Sequence, residues 1–78
     1  MTLAELVAPA AEMEDFALCI DSVTFAGRYS KNEILSGTVG GLENADNIQV
    51  NHWYSMNDGS NRYSYTYVVG KVVRDLDE

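Results

Sequence analysis

Apolar residues recur along this chain at two spacings. Leu3, Leu6 and Val7 fall on one side of a helix, whereas from Phe16 onward large side chains tend to alternate with small or polar ones, as on a sheet with one covered face. The helical stretch opens on Thr2-Leu3-Ala4-Glu5. This is the spacing of a capping box, in which the threonine hydroxyl accepts an amide proton from the third helical residue and the glutamate returns to the cap amide. Pro9 lacks an amide proton and crowds the preceding turn, so the helix is expected to end near Ala8.

Beyond Pro9 two patterns compete. Ala10, Met13, Phe16, Ala17 and Ile20 would line one face of a second helix, with Glu12, Glu14 and Asp15 near its favourable N-terminus. Alternatively, Phe16, Leu18 and Ile20 are the inward residues of a strand, and the parity change to Val23 and Phe25 is absorbed by a β-bulge at Asp21-Ser22. The reading adopted is helix to about Asp15 and strand from about Phe16.

The remainder reads as a β-meander. Ser30-Lys31-Asn32-Glu33 suits a tight turn, followed by a strand over 34–41 that ends at Gly40-Gly41. After the turn cluster 43–47, Ile48, Val50, Tyr54 and Met56 are expected on one face, with Gln49, Asn51 and Ser55 on the other. The Asp58-Gly59 pair within 57–61 marks the strongest hairpin turn, because such pairs accept positive φ. In the last strand Tyr63, Tyr65, Tyr67, Val69 and Val73 share one face and Ser64, Thr66, Val68 and Val72 the other; core packing is the expected fate of the tyrosine side. Gly70 marks a place where the sheet curls.

The expected fold is therefore mainly β (α+β): a short N-terminal helix followed by a four-stranded antiparallel meander, as a curled sheet or small open barrel. With 78 residues the chain has material for one core, so it is read as a single domain: a helical segment over 1–15, the meander over 16–74 and an acidic tail over 75–78.

Charge narrows the partners. Twelve Asp and Glu against five Lys and Arg give a net charge of −7. That balance disfavours direct binding of nucleic acid, whose phosphates are held chiefly by Lys and Arg, and disfavours an acidic membrane surface. No base precedes Arg28, and the acids Glu5, Glu12, Glu14, Asp15 and Asp21 are answered at the other end by Asp75, Asp77 and Glu78. If the two ends meet, they form one negative surface that draws in basic partners. No run is apolar enough to span a bilayer, and the N-terminus lacks the basic segment of a secretory signal. Together with a single thiol, this points to a cytoplasmic location.

Candidate chemistry is sparse. His52 is the only histidine and Cys19 the only cysteine; the latter lies in an apolar stretch and is expected to be buried and inert. No metal-ligand spacing, phosphate loop or calcium loop is present, so neither a cofactor nor an enzymatic role is expected. The aromatic residues Trp53, Tyr54, Tyr63, Tyr65 and Tyr67 are the most unusual feature, since Tyr and Trp are enriched where proteins meet.

The leading expectation is a small acidic binding or inhibitor protein. It would engage a basic protein surface, including one evolved for nucleic acid, through Glu12, Glu14, Asp15, Asp75, Asp77, Glu78 and the aromatic set. Size and charge are those of nucleic-acid mimics such as viral inhibitors of host defence, although no motif carries a family resemblance. The alternatives are an aromatic-faced barrel that stacks single-stranded nucleic acid and a self-associating assembly subunit.

Overall fold

The computed structural model describes residues 1–57 and 64–73. The first helix, α1 (Leu3–Val7), has the expected capping box: the Glu5 amide donates to Thr2 Oγ1 at 3.1 Å and the Thr2 amide to Glu5 Oε1 at 2.8 Å. It ends at Ala8, immediately before Pro9. No second helix follows. Residues 9–14 form turns, with the Glu14 amide donating to the Ala11 carbonyl, and strand β1 (Asp15–Ile20) begins at once. A helix opening at Pro9 would have Ala8 as its N-cap, with no side-chain oxygen to accept the first amide protons as Thr2 does for α1. β1 instead buries Phe16, Leu18 and Ile20 in strict alternation.

The parity change after Ile20 is a hairpin and not a bulge. Ile20 pairs with Val23 of β2 (Val23–Thr24), leaving Asp21 and Ser22 as a two-residue loop with φ of 54° and 66°. Positive φ at both positions gives the loop a twist that matches the flanking strands. Asp21 Oδ1 also accepts the Val72 amide proton at 3.2 Å, tying the turn to the far end of the chain.

A second correction concerns residues 30–41. After the two-residue strand β3 (Tyr29–Ser30), Ser30 caps a helix, α2 (Lys31–Ser36), where a turn and a strand were expected. Ser30 and Glu33 repeat the reciprocal bonding seen at Thr2 and Glu5, and Gly37 closes the helix with a left-handed φ of 79°. A short 3₁₀ turn (Ala45–Asn47) then leads into β4 (Ile48–Asn57), which pairs antiparallel with β5 (Ser64–Val72). That pairing is the expected one, although the Asp58-Gly59 turn lies outside the described residues.

The sheet is mixed and open rather than an antiparallel meander. Its order is β2-β1-β5-β4 with β3 beside β1, so β5 lies between β1 and β4, parallel to the first and antiparallel to the second. Parallel neighbours require a crossover, and the segment containing α2 supplies it. Leu3 and Val7 of α1 and Ile34 of α2 belong to one buried cluster with Phe16, Leu18, Ile20, Ile48, Val50 and Val68. One face of the sheet is thus covered by helices.

That choice of face reverses the expectation for β5. Thr66, Val68 and Gly70 are the buried residues, while Tyr65 and Tyr67 are half-buried on the helix-free side. β4 carries a further surprise. Its register shifts between Val50 and His52, so Asn51 is an extra residue that turns the strand over: Ile48 and Val50 face the core, whereas Tyr54 and Met56 oppose Tyr67 and Tyr65 on the other side. A Cβ at Gly70 would come within 2.5 Å of the Gln49 carbonyl oxygen, so glycine there permits the two strands to approach closely beside the bulge.

Candidate binding surface

On the helix-free face, cross-strand pairing arranges the aromatic rings. Tyr54 opposes Tyr67, and their rings lie 6.4 Å apart between centroids at 22°. His52 continues the row, 6.3 Å from Tyr54 at 24°. These separations fall within the range of favourable ring contacts. Arg28 extends from the segment before β3 and sets its guanidinium carbon 3.8 Å from the centre of the Tyr65 ring, a cation–π contact. β1 places the small residue Ala17 beside Tyr67 and Asp15 beside Tyr65. Hydrogen bonding with the Cys19 side chain, then charge repulsion from it, hold the Tyr67 phenol above the usual tyrosine value; desolvation and the neighbouring tyrosines push the same way. Cys19 itself is half-buried on this face and not in the core, because β1 points it away from Leu18 and Ile20.

The opposite face carries a different chemistry at its outer end. Trp53 and Ser55 alternate with Tyr54, so they fall on the helix side, opposite Val68 and Thr66 of β5. Beyond the last turn of α1 the helical cover stops, and a cleft of about 240 Å³ opens between Leu6, Pro9, Phe16, Trp53, Ser55 and Glu14. Thr66 is 7% exposed and donates its hydroxyl to Glu14 Oε2 at 2.7 Å. This bond satisfies a buried polar group that sits among apolar neighbours.

The comparisons give the chain no family. No family model, curated protein or solved structure matches it.

The residues expected to form a site are distributed over both faces. Trp53 and Glu14 meet in the cleft. Tyr54, Tyr65, Tyr67 and Asp15 share the aromatic face, with Trp53 and Tyr54 about half-exposed. Glu12 is exposed in the turns between α1 and β1 and lines neither. Tyr63, Asp75, Asp77 and Glu78 lie outside the described residues. Sequence reasoning did not place Thr66, Arg28 or Met56 in a site, and read His52 as a satisfied or solvated histidine with no place in the aromatic row. A threonine between tyrosines in an alternating strand is a usable signal only once the covered face is known. Among the described residues no group of three His, Cys, Asp or Glu is placed to hold a metal ion, and no helix is long and apolar enough to cross a membrane.

Proposed function

We propose that this protein is a non-enzymatic binding module that engages a basic protein surface through the outer half of the β4–β5 ribbon. The observation that carries this reading is the run from Asn51 to Asn57, exposed at every residue although it includes Trp53, Tyr54 and Met56. Large apolar and aromatic side chains left open on both faces of a paired strand are the usual anchors of a protein interface. Asp15 beside Tyr65 and Glu14 beside Trp53 add negative charge to each face, in a chain whose net charge is −7. Such charge speeds encounter with a basic partner and repels acidic ones. The nucleic-acid-mimic type of inhibitor remains the comparison of choice for size and charge.

Direct stacking of nucleic acid has weaker support, because Arg28 is already engaged with Tyr65 and few other cations accompany the rings. The test uses an octa-arginine peptide, with an octa-glutamate peptide as control, followed by the fluorescence of Trp53, the only tryptophan. The basic peptide should bind in a salt-dependent manner and the acidic one should not. Replacing Tyr54 and Trp53 by alanine, which leaves the charge unchanged, should weaken binding about tenfold or more when followed by calorimetry. Binding indifferent to those two residues would refute the reading.

A further inference from the structure

We infer that the Glu14 cleft is a socket for one cationic side chain, arginine or lysine, of the partner protein. The inference rests on the proposed function and adds to it a specific subsite. Its volume of about 240 Å³ lies below the roughly 300–1,000 Å³ of small-molecule and cofactor sites, so it is sized for a single side chain. The walls are suited to one class of occupant. Leu6, Pro9 and Phe16 offer apolar surface to a methylene stem, and the half-exposed Trp53 offers an indole to the cation at its end.

The head group is met by a carboxylate already held in position. Thr66 bonds Glu14 Oε2, and the Glu14 amide is fixed to the Ala11 carbonyl, so both ends of this residue are restrained. Oε1 has no hydrogen-bond partner among the described residues, and the Ser55 hydroxyl borders the same space. A purely apolar occupant would strip water from the carboxylate without replacing its hydrogen bonds, and an anionic one would be repelled. An ammonium or guanidinium group replaces that water with a charge-assisted bond.

The experiment uses the full chain and three capped tripeptides, Gly-Arg-Gly, Gly-Lys-Gly and Gly-Nle-Gly, the last with the neutral side chain norleucine. Binding is read from Trp53 fluorescence. Arginine and lysine peptides should bind more tightly than the norleucine peptide, and the tighter of the two identifies the head group the socket prefers. Glu14→Gln keeps an oxygen to accept the Thr66 proton, so the fold is retained, and urea unfolding verifies this. It should lower affinity for both cationic peptides about tenfold and erase their advantage over norleucine. Asn32→Ala, at an exposed position on α2 away from both the cleft and the ribbon, should leave tripeptide binding unchanged. Equal binding of norleucine and lysine peptides to the unmodified protein, or cationic peptides indifferent to Glu14→Gln, overturns the socket. If octa-arginine still binds in that case, the broader reading stands and only the socket falls; if no basic probe binds at all, both fall.

Discussion

Thr66 donates its hydroxyl to the Glu14 carboxylate at 2.7 Å, joining residues 52 positions apart and closing the outer end of the core. Thr66 is also the one buried polar side chain among the described residues. Glu14→Ala removes its acceptor and is expected to cost about 1–3 kcal/mol, the penalty of an unsatisfied buried group. Thr66→Val should cost less, about 0.5–1.5 kcal/mol, because the half-exposed Glu14 regains water. Glu14→Gln should cost least. Urea unfolding of the three variants gives the order, and a costlier Thr66→Val would count against the role assigned to this bond.

Gly70 and Gly40 make a matched pair for a packing test. Alanine at Gly70 drives its Cβ against the Gln49 carbonyl oxygen, so a loss of about 1–3 kcal/mol is expected from overpacking. Gly40 has open space and no positive φ, and alanine there should change stability by no more than about 0.5 kcal/mol. Thermal melts of the two variants measure the difference. Similar losses would mean that β4 and β5 do not approach as described.

Core and ribbon should separate in their effects. Leu18 is fully buried between the helices and the sheet, and Leu18→Ala is expected to cost about 2–5 kcal/mol. Trp53 is 51% exposed, so Trp53→Ala should cost less stability while weakening octa-arginine binding. Calorimetry of both variants, for unfolding and for binding, reads the two effects independently. A Trp53→Ala protein as destabilised as Leu18→Ala would assign the indole to the core.

Tyr67 gives a prediction at alkaline pH. Its phenol titrates above the ordinary value of 10.0 because of Cys19, so the unfolded chain releases this proton before the folded one does. The stability contributed by the neutral phenol is therefore complete below the ordinary value and is lost as pH rises through the raised one. Ultraviolet difference titration should show a late-ionising tyrosine that disappears in Tyr67→Phe. Cys19→Ala should move that ionisation back toward the ordinary value; an unchanged titration would exclude Cys19 as the cause.

Local chemistry explains which elements were legible beforehand. Thr2 and Glu5 bond each other within one turn, so α1 could be read from four residues and the proline after it. The same pattern at Ser30 and Glu33 passed for a turn, since its polar residues suit either structure until Gly37 is recognised as a helix stop. Alternation assigned the sides of β1 and β5 correctly, and the inward side of β1 as well, but not which side of β5 faces the core. β5 has aromatic rings on one side and Thr66, Val68 and Val72 on the other, and both sides are apolar enough to be buried.

The sequence by itself determined what depends on neighbours along the chain: a capped first helix, a β-rich remainder, an acidic balance and the pairing of β4 with β5. Only the tertiary structure decided the parallel insertion of β5, the inversion of β4 at Asn51, and the meeting of Glu14, Trp53 and Thr66 in one cleft. The physical reason is range. Hydrogen bonds across three residues are written in local spacing, whereas the covered face of a sheet is chosen by helices whose packing depends on the whole chain.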